Sequence, residues 1–144
     1  MRYNVVKNAR EIINNSEYLI KNPNSFKNKW NSVFNNNNPI CLELGMGRGS
    51  FIIEMAKLNP NINYIGIELD QNQIATALKN AEDKRLKNLK MICCDANSII
   101  DIFGREINTI YLTFSEPWPK KQDEKSTSIV HILHKTLIIN ILCI

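Results

Sequence analysis

The segment PICLELGMGRGSFIIEMAKL, from Pro39 to Leu58, contains a strand, a glycine-rich turn and a helix in that order. The apolar run ICLEL ends in glycines, which predicts a buried strand that stops at a turn. The next residues, SFIIEMAKL, carry apolar side chains at helical spacing. The predicted apolar face of that helix is formed by Phe51, Ile52, Met55 and Ala56. This strand–turn–helix unit begins a pattern that the rest of the chain repeats.

Downstream of this unit, predicted strands and helices continue to alternate. NYIGIELD, LKMICCDA and INTIYLTF are strand-like, and they are separated by the helical segments QNQIATALKNAEDKRL and NSIIDIF. Strands separated by helices of this length predict a parallel sheet with right-handed crossovers. Continuous apolar runs such as IYLTF indicate a sheet that is covered on both faces. The sequence therefore predicts an α/β, Rossmann-like fold.

The first 38 residues differ in composition from the rest of the chain. They are rich in Asn and Lys, with plausible amphipathic helices near Ala9–Leu19 and Phe26–Phe34. The run Asn35–Asn38 followed by Pro39 predicts a loop into the first core strand. We therefore expect an N-terminal helical and loop extension over residues 1–38 and a ligand-binding α/β domain over residues 39–144.

Length and composition restrict the class of protein. With 144 residues and a net charge of +4, the chain is expected to be a soluble, cytoplasmic globular protein with a mild basic bias compatible with nucleic acid. No segment predicts a signal peptide or a membrane span. The four cysteines form no CxxC pair, and the strand-like context of Cys41, Cys93 and Cys94 predicts buried thiols in a reducing compartment. A monomer is the favoured oligomeric state.

Each predicted strand is followed by acidic or glycine residues at the edge where parallel sheets bind ligands. Glycines there allow a ligand to approach the backbone closely. An acid about twenty residues beyond such a turn, at the end of the second strand, accepts hydrogen bonds from ribose hydroxyls. We therefore expect a nucleoside cofactor at this edge. The predicted cofactor-binding residues are Glu43, Gly45, Gly47, Gly49, Glu68, Asp95 and Glu116.

The acid that precedes the glycine turn helps to choose between nucleoside cofactors. The pyrophosphate of NAD prefers amide donors and would be repelled by Glu43. S-adenosylmethionine carries a sulfonium and an ammonium group, which an acidic site attracts, and it retains the adenosine that Glu68 would bind. Asp95 could accept a hydrogen bond from the adenine amino group. The arrangement favours S-adenosylmethionine over NAD.

Some of these acids have a structural alternative, because aspartate is a preferred N-cap of helices. Asp70 precedes a predicted helix, and we interpret it as a cap. Asp95 also precedes a helical stretch, and both a capping role and a cofactor role remain open for it. Glu43 and Glu68 begin no helix, so the capping explanation does not apply to them.

The segment FSEPWPKK, which follows the last predicted strand, combines rigidity, an acid, an aromatic ring and positive charge. A purine N7 that attacks a sulfonium methyl becomes cationic, and Glu116 could stabilise that charge as the catalytic group. Trp118 could stack on a base, and Lys120 and Lys121 could contact phosphates. The alternative is a rigid loop in which Trp118 belongs to the core and the lysines are solvated.

ELGMGRGSF, YIGIELD and above all TFSEPWPKK resemble the bacterial tRNA (guanine-N7-)-methyltransferases. The resemblance implies a class I methyltransferase fold, S-adenosylmethionine as donor and a guanine in the variable loop of tRNA as acceptor. It also implies that Glu43, Glu68, Asp95 and Glu116 line the cofactor site and that Lys120 contacts substrate. Glu116 stands where the family usually has Asp.

The sequence departs from that family after Lys121. It lacks the Arg-rich stretch and the Thr-x-x-Glu motif of family members, which predicts a truncated or frameshifted C-terminus with incomplete C-terminal strands. Two histidines, His131 and His134, share a helical spacing but lack further ligands, so no metal is expected. The remaining alternatives are a class I methyltransferase with another acceptor and a non-catalytic fragment that binds the donor or RNA.

Overall fold

The computed structural model describes residues 5–113 and 140–143, which form a parallel sheet with helices on both faces. Single turns of 3-10 helix at Pro23–Phe26 and Ala96–Ser98 connect some of the elements. The helices are α1 (Ala9–Asn15), α2 (Trp30–Phe34), α3 (Ser50–Leu58), α4 (Gln71–Glu82) and α5 (Ile99–Ile102). The strands are β1 (Ile40–Leu44), β2 (Asn63–Glu68), β3 (Leu89–Cys93), β4 (Ile107–Leu112) and β5 (Asn140–Cys143).

The strands lie in the order β3-β2-β1-β4-β5, and all neighbouring strands are parallel. The chain moves outward from β1 to β3 and then returns to the other side of β1 with β4. Ligands of open parallel sheets bind where the strand order reverses, at the carboxyl ends of the strands. The predicted Rossmann-like α/β fold is confirmed, and the reversal lies between β1 and β4.

Two hydrophobic clusters fill the space on either side of the sheet. All five residues of β1 are buried, as expected for a strand that is covered on both faces. Because side chains alternate along a strand, Cys41 and Glu43 point toward α3 and α4, whereas Leu42 and Leu44 point toward α2 and α5. Glu43 is therefore an acid that lies on an otherwise apolar face of the central strand.

The N-terminal segment crosses the free edge of the sheet and contributes to both clusters. Helix α1 packs against α4, and the backbone at Tyr18 and Ile20 then pairs with Met91 of β3. On the other face, Trp30 is fully buried and its Nε1 donates a hydrogen bond of 3.0 Å to the carbonyl of Ile102. The described part of the N-terminal segment, residues 5–38, therefore contributes side chains to the core.

Two predicted helix boundaries in this segment were wrong, because both depend on contacts with distant residues that the sequence does not reveal. The helix expected to run to Leu19 ends at Asn15, since Tyr18–Ile20 is extended along β3. The helix expected from Phe26 begins only at Trp30, because Asn28 has a φ of 64°. Tertiary contacts replaced helical hydrogen bonds at both places.

Other boundaries shifted by a few residues. Helix α4 was expected to reach Leu86 but ends at Glu82, because Arg85 adopts a φ of 53° and the Leu86 N–H donates to the Tyr18 hydroxyl. The thiol of Cys41 is buried, as predicted. Cys93 and Cys94 are only half-buried, contrary to the expectation, because they lie at the open end of β3.

None of the helices within the described ranges has the length and apolar character needed to cross a membrane. The residues predicted to act in the segment after β4, namely Glu116, Trp118, Lys120 and Lys121, lie outside the described residues. The same is true of His131 and His134.

Candidate functional site

The turn between β1 and α3 has the backbone conformation that its glycines predict. Gly45, Gly47 and Gly49 have φ values of 69°, 57° and 78°, a region that other residues seldom adopt. The N–H groups of Gly45 and Met46 donate to the carbonyl of Ile67, at 2.9 and 3.0 Å. These bonds fasten the turn to the end of β2 and leave it at the carboxyl edge of the sheet.

The three glycines differ in what surrounds them. A Cβ atom on Gly49 would lie 3.1 Å from the Ala77 Cβ and 3.2 Å from the Ile53 Cδ1, so this glycine lets α3 pack closely on α4. At Gly45 and Gly47, no atom of the described residues lies within 4 Å of the corresponding position. The open backbone at those two residues is therefore free to meet a ligand.

The close contact at Gly49 also widens the buried face of α3. Ile52, Ile53 and Ala56 are buried, whereas Phe51 and Met55 are half-buried. The predicted apolar face omitted Ile53, which packs beside Gly49 toward α4. A helix that contacts both a sheet and another helix needs a broader apolar stripe than one that contacts the sheet alone.

Glu43 is a buried acid at the base of this turn. Its side chain is 2% exposed, and its Oε1 accepts a hydrogen bond from the Thr113 hydroxyl, just beyond β4. Its Oε2 has no hydrogen-bond partner among the described residues. Burial raises the pKa of Glu43 to about 7, and the Thr113 hydroxyl and the Ile52 amide act in the opposite direction. An unpaired, buried oxygen of this kind fits a ligand that brings a cation or a hydrogen-bond donor.

Glu68 holds the glycine turn as well as facing the open edge. Its Oε2 accepts a hydrogen bond of 2.9 Å from the Gly47 N–H, and its Oε1 accepts one of 3.0 Å from the Asp70 N–H. Each carboxylate oxygen has a second lone pair, so both can still accept from the hydroxyls of a ribose. The sequence predicted the binding of ribose hydroxyls, and the structure adds the hydrogen bond that holds the glycine turn.

Asp70 and Asp95 both cap helical turns. The Asp70 Oδ1 accepts hydrogen bonds from the N–H groups of Asn72 and Gln73 at the start of α4, which confirms its interpretation as a cap. The Asp95 Oδ1 accepts one of 2.8 Å from the Asn97 N–H. Because this bond engages one oxygen of an exposed carboxylate, the cap and the predicted cofactor role are compatible at Asp95.

The structure brings the described acids to one edge of the sheet. Glu43 precedes the turn after β1, Glu68 is the last residue of β2, and Asp95 lies two residues beyond β3. Since β1, β2 and β3 are parallel neighbours, their carboxyl ends lie side by side. Open glycine backbone flanked by carboxylates suits a ligand that carries positive charge and ribose hydroxyls.

One residue of this site was not predicted from the sequence. Thr113 contacts Glu43 across 70 positions of sequence, and a threonine at the end of an apolar strand gives no signal of such a contact. The position of Thr113 directly before FSEPWPKK was the only feature of the sequence that pointed to a role in the site.

Within the part of the chain that the structure describes, no group of His, Cys, Asp or Glu side chains is arranged to hold a metal ion.

Comparison with known proteins gives a family match over most of the chain. The sequence model of a family described as "Putative methyltransferase" matches residues 37–138. That range contains the glycine turn, Glu43, Glu68, Asp95 and the segment FSEPWPKK.

Curated relatives share almost half of their aligned residues with this chain. The tRNA (guanine-N(7)-)-methyltransferase of Bacillus subtilis (strain 168) is 49% identical over 112 residues, which are 77% of this chain and 53% of the relative. The protein of the same name from Streptococcus agalactiae serotype III is 44% identical over 127 residues, 87% of this chain and 60% of the relative. The chain thus spans between half and two thirds of the length of these relatives.

Solved structures confirm the fold alone. The antibiotic-resistance methyltransferase Kmr superposes with a TM-score of 0.61 at 14% identity, over 76% of this chain and 58% of the other. This likeness confirms the predicted class I methyltransferase architecture.

Proposed function

This chain belongs to the methyltransferase family whose sequence model it matches, and we propose on that premise that it acts in the N7-methylation of a tRNA guanine. The observation that carries the proposal is the identity of 44–49% to proteins named tRNA (guanine-N(7)-)-methyltransferase. The resemblance of TFSEPWPKK to the same proteins points to the variable loop as the site of the acceptor guanine.

The methyl donor of the proposed reaction is S-adenosylmethionine. The unpaired Oε2 of Glu43 and the open backbone at Gly45 and Gly47 fit a cationic ligand that approaches the turn closely. Glu68 would accept hydrogen bonds from the ribose hydroxyls, and Asp95 from the adenine amino group. When bound, the donor supplies an electrophilic methyl group, and these residues hold and orient it.

The acceptor side of the reaction is assigned to FSEPWPKK. Glu116 would stabilise the positive charge that develops on the guanine ring as N7 is methylated, without acting as a base. Trp118 would stack on a base, and Lys120 and Lys121 would contact tRNA phosphates. These assignments rest on the sequence, since the segment lies outside the described residues.

A methyl-transfer assay tests the proposal directly. The chain is incubated with unmodified tRNA and S-adenosylmethionine that carries a labelled methyl group, and the digested nucleosides are analysed by mass spectrometry. We expect labelled 7-methylguanosine. The matched control is a tRNA whose variable-loop guanine is replaced by 7-deazaguanine, which has no N7 lone pair and should receive no label.

Other outcomes of this assay would support the alternatives. Label on a different base or position would indicate a methyltransferase with another acceptor. Donor binding in a calorimeter without any transfer would indicate a fragment that binds the donor but does not turn over. In the proposed function the partner is tRNA, the chain acts as a monomer, and its location is the cytoplasm.

A further inference from the structure

Glu43 carries a carboxyl group for which the described residues supply a hydrogen-bond partner at only one of its two oxygens. One oxygen is bonded to the Thr113 hydroxyl, and the other has no partner within the described residues. Removing a charged oxygen from water without a partner is far more unfavourable than removing a neutral one. A site without ligand therefore favours the protonated, neutral form of this acid.

Groups from every described element around Glu43 act on that balance. The Thr113 hydroxyl, beyond β4, and the Ile52 amide, in the first turn of α3, stabilise the carboxylate. Burial and the Glu68 carboxylate, at the end of β2, destabilise it, and burial is the largest of these effects. The ion pairs within the described residues, Lys57–Glu54 and Lys84–Asp83, do not include Glu43. The pKa of Glu43, raised to about 7, places its titration in the neutral range.

We propose that binding of the cationic methyl donor expels a proton from Glu43 into solvent, and that Thr113 is the positioning residue that makes this ionisation possible near neutral pH. The O–H bond of the neutral acid breaks, its proton leaves with water, and the remaining carboxylate faces the positive charge of the donor. This inference rests on the proposed function, because it takes S-adenosylmethionine as the ligand.

The position of Thr113 also links the two halves of the proposed reaction. Thr113 directly follows β4 and directly precedes FSEPWPKK, the segment assigned to the acceptor. Its hydroxyl contacts the acid that precedes the donor-binding turn. The ionisation of Glu43 therefore depends on where the end of β4 is held.

Calorimetric titration with S-adenosylmethionine in buffers of different ionisation enthalpy counts the protons released on binding. We expect release of about half a proton per donor at pH 7, approaching one at about pH 6 and little at about pH 8. Donor affinity should fall roughly tenfold per pH unit below about pH 6. The amine of the free donor titrates at about pH 8, so the proton released by Glu43 is measured at about pH 6, where that amine is already protonated before binding.

Three variants separate this linkage from a purely structural role. Glu43→Gln should abolish the proton release that Glu43 contributes. Thr113→Val removes the hydroxyl that stabilises the carboxylate, so the proton-release curve and the affinity midpoint should move to higher pH. Thr109→Val is the matched control, because it makes the same substitution at a residue within β4. The Thr109 hydroxyl contacts Cys41 rather than Glu43, so this variant should move neither curve.

The inference is overturned if, at about pH 6, the heat of binding of the unaltered chain is the same in all buffers. It is also overturned if Thr113→Val weakens binding equally at every pH, since a merely structural residue would behave in that way. Both results would leave donor binding, and so the proposed function, standing. A complete lack of donor binding at all pH values would count against the proposed function as well.

Discussion

At the scale of single residues, the described site depends on acids that have been placed in very different environments. Glu68 is half-exposed and uses both oxygens to bind backbone N–H groups, whereas Glu43 is buried and has one oxygen without a partner in the described residues. A carboxylate that accepts backbone hydrogen bonds stabilises the fold. A buried carboxyl group with one unpaired oxygen makes an unfavourable interaction, which a ligand that brings a donor can relieve.

The raised pKa of Glu43 predicts that the free energy of unfolding falls as the pH rises. Folding raises the pKa of this acid from 4.5 to about 7, so the folded chain holds a proton that the unfolded chain releases in that window. Stability should therefore fall between pH 4.5 and 7 and level off above, a contribution of about 3 kcal/mol. We expect Glu43→Gln, which cannot ionise, to gain that amount relative to the unaltered chain between pH 4.5 and 8.

Urea unfolding at a series of pH values measures this difference, and the contributions of other titrating groups cancel in it. Glu54→Gln is the control, because it makes the same change on the exposed face of α3. The ion pair that it removes there, with Lys57, contributes about 0–1 kcal/mol to stability. A difference between Glu43→Gln and the unaltered chain that stays constant with pH would rule out the raised pKa.

At the scale of elements, the start of α4 ties Glu68, the acid at the end of β2, to the helix that follows it. The Asp70 side chain accepts from the N–H groups of Asn72 and Gln73, and the Asp70 N–H donates to Glu68. One residue thus caps α4 and holds the carboxylate of Glu68 in place. The geometry of the site at the end of β2 depends on the beginning of α4.

Removal of the cap should lower stability without disturbing the rest of the core. We expect Asp70→Ala to cost about 1 kcal/mol, because two backbone N–H groups lose their acceptor. Asp70→Asn should cost much less, since its amide oxygen can accept the same bonds. The free energy of unfolding of the two variants, measured in urea, checks this. Equal losses in both would mean that charge rather than capping is what the helix needs.

At the scale of the whole molecule, the N-terminal segment holds the two faces of the sheet together. It packs α1 on α4, pairs with the edge of β3 and then inserts Trp30 into the opposite cluster. The ring centroids of Trp30 and Phe103 are 4.9 Å apart, and the Trp30 Nε1 donates a hydrogen bond to the Ile102 carbonyl. The expected boundary at residue 38 therefore separates segments that share one core.

Truncation of this anchor should destabilise the entire fold. We expect Trp30→Ala to lower the free energy of unfolding by about 3–5 kcal/mol, through lost burial and the cavity that remains. Trp30→Phe should cost about 1–2 kcal/mol, mainly because the Ile102 carbonyl loses its donor. Urea unfolding followed by circular dichroism measures both. A loss below about 1 kcal/mol for Trp30→Ala would show that the segment is not part of the cooperative core.

Most of the architecture followed from local patterns in the sequence. Strand, turn and helix signals are periodicities and glycine positions that a short window contains, so the order of elements from β1 to β4 and the parallel sheet were predicted correctly. The cap at Asp70 was equally visible, because a cap acts within three residues of its own position. The placement of Glu43, Glu68 and Asp95 at strand ends also followed, since the carboxyl ends of parallel strands share an edge.

What only the tertiary structure decided involves partners that are far apart along the chain. The path of Tyr18–Ile20 depends on β3, and the early end of α4 depends in part on the Tyr18 hydroxyl. The ionisation of Glu43 depends on a threonine 70 residues away and on the packing that excludes water around it. Burial and long-range hydrogen bonds arise only when distant segments meet, so no local pattern encodes them. For this protein, the sequence determined which strand ends carry Glu43, Glu68 and Asp95, and the tertiary structure determined the buried environment that raises the pKa of Glu43.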